Sequence, residues 1–363
     1  MRIAEPLLQA HADWCALDDR CVRPARGESL VVREGVGRAA AAWPTSQVVS
    51  AALARVGALV DTPQADEARS AYAGLDRGMR NFQVRNYFTE SRVKSARRRP
   101  VFYDDNAWIA LNLVEAALLQ LQGVLPGDSL PNIVRARGVL HLLMWGQDTR
   151  DGGVLWQVGG DTRNACSTAP AGLLALRIVE AERAHGGIPL ADHGELIAFA
   201  QRCAGFIELL RDSRGLIADH IRRDGRIEPS VYSYNQGTAL GLSLQLHRIT
   251  HDEVSLRSAH AGAVASVDYY SDDDRLWRES PAFVAIYLRH LATLRCHNGD
   301  DVGAALEADW LNRLTVEARN SRTGFYTRGG VGHYDGSVSL DQAGIVAARF
   351  AALWPPDLVP YLC

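Results

Sequence analysis

The chain has 363 residues, of which 47% are hydrophobic and 22% are charged, and these fractions exclude an intrinsically disordered protein. The 39 basic and 42 acidic residues give a formal net charge of −3 at pH 7, which argues against a general binder of nucleic acid or of anionic membranes. No apolar run reaches the roughly 18 residues that a membrane span requires. We therefore expect one globular domain over residues 1–363, with no membrane span.

The spacing of apolar residues predicts twelve helices, separated by loops rich in glycine, proline and aspartate. In chain order they cover residues 6–20, 46–60, 66–81, 106–121, 132–148, 165–180, 193–212, 236–249, 252–270, 281–295, 302–318 and 341–354. Ser280 and Pro281 illustrate the local signals, because a serine N-cap and a proline in the first turn both favour a helix start. Strand-like segments are few and short, at 215–220 and 324–327.

The charge content of these helices alternates along the chain. Every even-numbered helix carries only one or two charged residues, whereas the odd-numbered helices carry three to six. A helix that is apolar all round is buried on every side, and an amphipathic helix covers it from outside. Six buried and six covering helices predict an all-α fold, an (α/α)6 barrel with an inner and an outer ring. An α-solenoid also alternates helices, but we would expect a shorter and more regular repeat.

The segments that lead into the even helices are rich in aromatic, amide and carboxyl side chains. Because all inner helices of such a barrel point the same way, these segments should meet on one rim. Aromatic rings stack on the C–H faces of sugars, and planar polar groups bind their hydroxyls, so this composition favours a carbohydrate site. The segments are 42–44, 102–106, 152–157, 232–237, 279–283 and 339–342.

The adjacent carboxylates Asp104 and Asp105 are the main catalytic candidates on this rim. An Asp-Asp dipeptide is ordinarily a helix cap or a solvated turn. Here it is flanked by Tyr103 and Trp108 and precedes a helix that is nearly uncharged. Adjacent residues at a loop–helix junction can hold their carboxyl carbons roughly 5 Å apart, which is the spacing of a retaining glycosidase pair.

Four blocks in order resemble glycoside hydrolase family 76. They are Tyr103-Asp104-Asp105-Asn106-Ala107-Trp108, Gly152-Gly153-Val154-Leu155-Trp156, Arg163-Asn164-Ala165 and Tyr234-Asn235-Gln236-Gly237. The resemblance implies an (α/α)6 barrel with retaining endo-α-1,6-mannanase activity, or transfer on the same linkage, acting on an α-linked mannose oligosaccharide or a mannan-type glycan. It also implies that Asp104 is the nucleophile and Asp105 the general acid/base. The chain departs from the family pattern at Asn106 and Ile109.

Further residues are candidates for binding the sugar. From the four blocks they are Tyr103, Asn106, Trp108, Trp156, Asn164, Tyr234, Asn235 and Gln236. Trp156 could equally be a core residue that seals its loop, and Asn164 and Asn235 could simply cap helices. Position alone adds Trp43, Phe283, Tyr287 and Asp341 to the rim. The basic segment 92–99 could bind phosphate, although a solvated loop is the simpler interpretation.

Other chemistry has little support in the sequence. The six cysteines are scattered and predict reduced, mostly packed thiols. Histidines at metal-ligand spacing and nucleotide-binding glycine motifs are both missing, so we expect neither a metal nor another cofactor. No secretory signal is visible after Met1, and the cytoplasm is the expected compartment.

Two alternatives remain open. A non-catalytic carbohydrate-binding protein could keep the barrel and bind saccharides without turnover. A sugar isomerase like the N-acylglucosamine 2-epimerases could also use this barrel, but it needs histidines that project from the inner helices near the rim. His247 and His290 are predicted toward the far ends of their helices instead.

Overall fold

The computed structural model describes residues 5–34, 38–92, 99–187, 189–327 and 338–363. Within these ranges thirteen α-helices form, and twelve of them correspond to the predicted helices. They are α1 (Glu5–Cys21), α2 (Ala42–Ala58), α3 (Ala65–Met79), α4 (Tyr103–Leu121), α5 (Leu130–Trp145), α6 (Ala165–His185), α7 (His193–Leu209), α8 (Ser233–Thr250), α9 (Glu253–Ser271), α10 (Arg275–Arg278), α11 (Pro281–Asn298), α12 (Ala304–Arg313) and α13 (Val338–Ala351).

Six of these helices form a closed inner ring. In order around the ring, α2 packs against α4, α4 against α6, α6 against α8, α8 against α11, α11 against α13, and α13 back against α2. Almost every residue of these helices is buried. The contact between α13 and α2 closes the ring, so the predicted (α/α)6 barrel is confirmed and the open solenoid is excluded.

The outer ring covers the inner one with amphipathic helices. Helix α1 packs on α13, α3 on α2, α5 on α4 and α6, and α7 on α6 and α8. Helix α9 packs on α8, and α12 contacts α9. The segment predicted as one helix at 302–318 divides into α12 and a π-helical turn, Leu314–Ala318. The additional short helix α10 lies between α9 and α11.

Glycines let neighbouring inner helices approach closely. A Cβ atom added to Gly237 of α8 would lie 2.7 Å from the Cα atom of Tyr287 in α11, and one added to Gly344 of α13 would lie 2.4 Å from the backbone nitrogen of Ala282. Neither contact leaves space for a larger side chain. The crossing of α11 with both of its ring neighbours therefore depends on glycine.

The helix starts follow local capping chemistry. The Ser280 hydroxyl accepts a hydrogen bond from the backbone N–H of Ala282 at 3.3 Å, as predicted. Asp192 and Asp252 cap α7 and α9 in the same way, with carboxylates that accept from backbone N–H groups of the first turn. These caps satisfy donors that a helix leaves without internal partners.

The strands are short and lie in the connections between helices. Within the described residues β1 (Val22–Pro24), β2 (Leu30–Glu34) and β3 (Arg38–Ala39) form one antiparallel sheet, and β4 (Gln83–Val84) pairs with β5 (Tyr87–Phe88). A third antiparallel sheet has the order β6 (Arg163–Asn164), β7 (His220–Ile221) and β8 (Ile227–Glu228). The predicted strand at 324–327 is only an isolated bridge between Arg319 and Tyr326.

No helix in the described ranges is long and apolar enough to cross a bilayer. All six cysteines are free thiols, four of them buried, as the sequence predicted.

Candidate active site

The aspartate pair lies in the first turn of α4. Phe102 precedes the helix in an extended conformation, and the backbone N–H of Tyr103 donates to the carbonyl oxygen of Trp156 at 2.9 Å. The loop between α5 and α6 therefore crosses the N-terminus of α4 and brings Trp156 beside Asp104. The N-terminal end of a helix also stabilises a nearby negative charge.

A cavity of about 290 Å³ opens above this turn. Its walls are mainly aromatic, with three carboxylates among them. The lining residues are Ala41, Trp43, Pro44, Glu90, Phe102, Asp104, Asp105, Trp108, Trp156, Tyr234 and Phe283. They come from the N-terminal ends of α2, α4, α8 and α11 and from the loops before α4 and α6. The predicted rim is thus the place where the structure has its aromatic, carboxylate-bearing cavity.

The aromatic side chains contact one another around the cavity. Trp43 and Trp108 have ring centroids 5.7 Å apart, and Trp108 and Tyr234 are separated by 6.5 Å. The ring of Tyr234 stacks on Phe283 at 4.0 Å with an interplanar angle of 18°. Such contacts fix the orientation of the rings, so the cavity presents a preformed apolar wall.

The carboxylate of Asp104 accepts three hydrogen bonds. Its Oδ1 atom accepts from the backbone N–H of Asp105 at 2.9 Å. Its Oδ2 atom accepts from Nε1 of Trp156 at 3.0 Å and from the thiol of Cys166 at 3.7 Å. Donors of this kind stabilise the ionised form of a carboxyl group. Burial raises the pKa of the Cys166 thiol well above its usual range, so the thiol keeps its proton and remains a donor.

The two aspartates differ in how readily they ionise. Burial raises the pKa of Asp104 to about 6, and the hydrogen bonds from Asp105, Trp156 and Cys166 oppose that rise. Burial also raises the pKa of Asp105 well above its usual range, and the charges of Asp104 and Glu90 raise it further. Burial and the mutual repulsion of the two carboxylates favour one retained proton, and the hydrogen bonds that Asp104 accepts favour Asp105 as the group that holds it.

The structure brings five of the ten predicted site residues together in this cavity. They are Asp104, Asp105, Trp108, Trp156 and Tyr234. Trp43 and Phe283, which position alone placed on the rim, line the same cavity. The side chain of Trp156 is exposed and also bonds Asp104, so it is not simply a core residue.

The structure departs from the prediction at two of the amides. Asn106 is fully buried, and its side chain donates to the carbonyl of Phe88 at 2.9 Å and accepts from the N–H of Phe88 at 2.7 Å. The side chain of Gln236 makes the same pair of hydrogen bonds with Ile217, donating to its carbonyl at 2.8 Å and accepting from its N–H at 2.9 Å. Both amides are occupied by loop backbone, so neither is placed to meet a sugar hydroxyl.

The same two-point contact recurs at α13, where Gln342 donates to the carbonyl of Tyr326 and accepts from its N–H, both at 3.0 Å. Near the start of α6, the hydroxyl of Thr168 accepts from the N–H of Val154 at 2.8 Å. Polar side chains near the starts of the inner helices therefore hold the preceding loops by their backbones. Part of the polar composition that predicted a carbohydrate site serves this structural role.

Three other predicted residues lie below the cavity surface. Tyr103 is buried, and its ring packs on Gly146, where an added Cβ atom would lie 2.3 Å from the ring. Asn235 is fully buried and donates to Asp219 at 3.2 Å. Asn164 is buried before α6, and its backbone carbonyl accepts from hydroxyl groups of the first helical turn. None of the three is among the described residues that line the cavity, and the side-chain oxygens of Asn164 and Asn235 accept no hydrogen bond within the described ranges.

Two rim residues proposed from position alone are also buried. The hydroxyl of Tyr287 donates to that of Ser266 at 2.9 Å, between α11 and α9. Asp341 accepts from the hydroxyl of Ser280 at 2.6 Å at the start of α13. Both side chains tie helices together, and neither is among the described residues that line the cavity.

Sequence reasoning placed Phe102 on the rim as part of segment 102–106, but it missed Glu90 and Cys166 as members of the site. Glu90 lies far from any inner helix along the chain, and it reaches the cavity because the backbone of Ala42 donates to its carbonyl oxygen at 2.9 Å. Cys166 directly follows the block Arg163-Asn164-Ala165, and no sequence pattern distinguishes its thiol from the other scattered cysteines. From the basic segment 92–99, residues 93–98 lie outside the described ranges.

The described residues of the cavity include no histidine. His290 is buried in α11 against Gly241 of α8, where an added Cβ atom would lie 2.5 Å from its ring. Across the described ranges, no group of three or more histidine, cysteine or acidic side chains is arranged to hold a metal ion. The carboxylates among the described cavity residues are Glu90, Asp104 and Asp105.

This chain belongs to glycosyl hydrolase family 76, whose model matches residues 43–300. Membership places the protein among the glycosidases. Among solved structures, a family 76 mannosidase, Bt3792 from Bacteroides thetaiotaomicron VPI-5482, superimposes with a TM-score of 0.80 at 19% identity, covering 96% of this chain and 98% of that one. A comparison with curated proteins finds no significant match.

Two further structures share the fold. An inactive α-1,6-mannanase variant from Salegentibacter sp. HEL1_6, in which two consecutive aspartates are replaced by asparagine, was solved with α-1,6-mannotriose. It has a TM-score of 0.73 and 16% identity and covers 97% of this chain and 100% of that one. A D-mannose isomerase has a TM-score of 0.66 and 10% identity, covering 97% and 100%. At these identities the likeness establishes the barrel alone.

Proposed function

We propose that the protein is a retaining glycoside hydrolase that cleaves, or transfers, α-1,6-linked mannosides. The observation that carries this proposal is the pair of adjacent carboxyl groups, Asp104 and Asp105, in the aromatic cavity, with Asp104 held by hydrogen bonds from Trp156 and Cys166. The shared fold and the mannotriose complex of the Salegentibacter protein support the choice of substrate. The substrate is an α-linked mannose oligosaccharide or a mannan-type glycan.

The proposed reaction has two steps. In the first, a carboxylate oxygen of Asp104 attacks the anomeric carbon, the bond to the leaving oxygen breaks, and the Asp105 proton moves to that oxygen. In the second, Asp105 takes a proton from water, the water oxygen bonds to the anomeric carbon, and the ester bond to Asp104 breaks. A sugar hydroxyl in place of water gives transfer. Because the second step returns the proton to Asp105, the pair is ready for another cycle.

Product analysis tests this function directly. The protein is incubated with α-1,6-mannotetraose, and the products are identified by mass spectrometry. We expect shorter oligomers from hydrolysis, or longer ones from transfer, and neither product from Asp104→Asn or Asp105→Asn. Asp19→Asn is a matched control, because Asp19 also belongs to an Asp-Asp pair but is exposed on α1.

An intact substrate in every reaction would overturn the hydrolase proposal. Isothermal titration with the same tetrasaccharide then separates the alternatives. Binding without cleavage would indicate a carbohydrate-binding protein, and conversion of free mannose to another sugar would indicate an isomerase. The lack of a histidine among the described cavity residues speaks against the isomerase.

The unequal pKa values predict a bell-shaped dependence of kcat/KM on pH. Activity falls as pH drops below about 6, because Asp104 becomes protonated and cannot attack. Activity falls again at higher pH, where Asp105 loses the proton that the leaving group needs. Glu90→Gln removes a negative charge that raises the pKa of Asp105, so the descending limb should move to lower pH. A descending limb that stays in place in this variant would contradict the assignment.

The indole N–H of Trp156 should assist the nucleophile. Trp156→Phe keeps an aromatic ring in the cavity wall but removes the donor to Asp104. A hydrogen bond to a charged group contributes about 1.5–3 kcal/mol, so kcat/KM at neutral pH should fall about tenfold to a hundredfold. The ascending limb of the pH profile should also move to higher pH.

Trp43→Phe is the matched control for Trp156→Phe. Trp43 lines the same cavity, and its indole makes no hydrogen bond to either aspartate. We expect its pH profile to match that of the parent. If the ascending limb moved by the same amount in Trp43→Phe and Trp156→Phe, the shift would reflect the smaller ring and not the loss of the indole N–H.

A further inference from the structure

A second cavity lies outside the barrel, between the outer helices α5 and α7. It has a volume of about 540 Å³ and is lined by residues from the end of α5, the following loop and the first half of α7. This volume is within the usual range for small-molecule sites. We call it the outer groove, and its main polar and aromatic residues are His141, Trp145, Asp148, Thr149, Glu195 and Arg202.

Trp145 is the main exposed apolar side chain of the outer groove. Its side chain is 72% exposed, which is the second highest value among the exposed large apolar residues of the described chain. Single exposed apolar residues are ordinary on protein surfaces. Trp145 differs because its ring borders a cavity and because His141, one helical turn earlier, lies on the same face of α5.

The polar side of the outer groove is held in place. Arg202 donates through Nε to the side-chain oxygen of Gln147 at 2.9 Å, and Gln147 donates to the carbonyl of Gly152 at 2.9 Å. Hydrogen bonds from Arg150 lower the pKa of Asp148 to about 2, so Asp148 is ionised at neutral pH. The exposed indole of Trp145 beside these polar side chains suits the C–H faces and hydroxyls of a sugar.

The outer groove is connected to the catalytic cavity by a single loop. Gly146 follows Trp145, and its carbonyl accepts from the N–H of Leu155 at 3.1 Å. Trp156, the next residue, bonds Asp104. The two tryptophans therefore lie at the two ends of one closed loop, and each lines one of the two cavities.

We propose that the outer groove is a second, non-catalytic binding site for the mannan chain, with Trp145 as its stacking platform. This inference rests on the proposed function, because the mannoside is taken from it. The site holds a segment of polymer on the outer wall and so raises the local concentration of substrate at the cavity. A short oligosaccharide binds each site separately, so its turnover in the cavity does not benefit.

Binding is tested in the protein carrying both Asp104→Asn and Asp105→Asn, with its tryptophans replaced by 5-fluorotryptophan. The ¹⁹F signals of Trp145 and Trp156 are assigned from their absence in Trp145→Phe and Trp156→Phe. Titration with α-1,6-mannotetraose should shift both signals. If only the Trp156 signal shifted, even at tetrasaccharide concentrations that saturate the cavity, binding at the outer groove would be excluded and the proposed function would stand. If neither signal moved, both proposals would fail.

Turnover provides an independent test in the otherwise unchanged protein. Trp145→Ala should leave turnover of mannotetraose unchanged and raise KM for unbranched α-1,6-mannan about threefold to tenfold, as expected for the loss of one aromatic stacking contact. Val134→Ala is the matched control, because Val134 is 51% exposed on the same helix and does not line the outer groove. Equal KM values for the two variants on the polymer would overturn the inference.

Discussion

Asp104→Ala and Asp105→Ala should both abolish turnover of natural mannosides, and azide should rescue them to products of opposite configuration. Without Asp105 the leaving oxygen is not protonated, and the loss of general acid–base assistance costs about 10²- to 10⁴-fold. Without Asp104 no covalent intermediate can form, so the loss should be larger. Alanine is used because it leaves room for the azide ion.

The configuration of the azide product assigns the two roles. With an activated aryl α-mannoside, Asp105→Ala still forms the glycosyl-enzyme, and azide then gives the α-mannosyl azide. In Asp104→Ala azide attacks the substrate directly, so the product is the β-mannosyl azide. NMR spectroscopy distinguishes the two products. The reverse pattern would exchange the roles of the aspartates, and a β-azide from both variants would contradict a two-step mechanism.

The second large effect is expected at Asp13, a buried carboxylate that joins α1 to α13. Asp13 lies 2.8 Å from Nε of Arg349 and accepts from the hydroxyl of Tyr326 at 2.6 Å. Burial raises the pKa of Asp13, although Tyr326 and Arg349 act to lower it. Asp13→Leu would leave the Arg349 guanidinium buried without its counter-charge, which typically costs about 3–5 kcal/mol of unfolding free energy.

Guanidinium-chloride unfolding followed by circular dichroism measures this effect. Asp19→Asn, an exposed position on the same helix, should change stability by less than about 0.5 kcal/mol. Adding Arg349→Leu to Asp13→Leu removes the unpaired charge, so the double variant should recover part of the loss. A single variant as stable as the Asp19→Asn control would show that the buried pair contributes nothing to the fold.

The architecture could be predicted because buried helices contain few charged residues. An inner helix has no solvent face, so α4 carries one internal charge, Glu115, after its first turn, whereas α3 carries charges along its outer face. Helix ends were less predictable. The fourth helix begins at Tyr103 and not at Asn106, and the aspartates therefore lie inside its first turn.

The site was predicted only in part, for a physical reason. An asparagine or glutamine looks the same in a sequence whether its side-chain amide binds a sugar hydroxyl or a backbone group. Asn106 and Gln236 hold loop segments 18 and 19 residues away, and no local pattern predicts such pairing. Glu90 and Cys166 are brought to the aspartates by tertiary packing, so their contribution becomes visible only in three dimensions.

The contact between α2 and α13 has a consequence for how the molecule is made. The two helices are the first and last of the inner ring, and they are separated by most of the chain. A polypeptide synthesised from its N-terminus cannot close the ring until α13 has left the ribosome. Until then, the apolar flanks of α2 and α11 that α13 covers face water. Contacts so distant in sequence also slow folding, so closure of the ring by α13 should be a late and slow step.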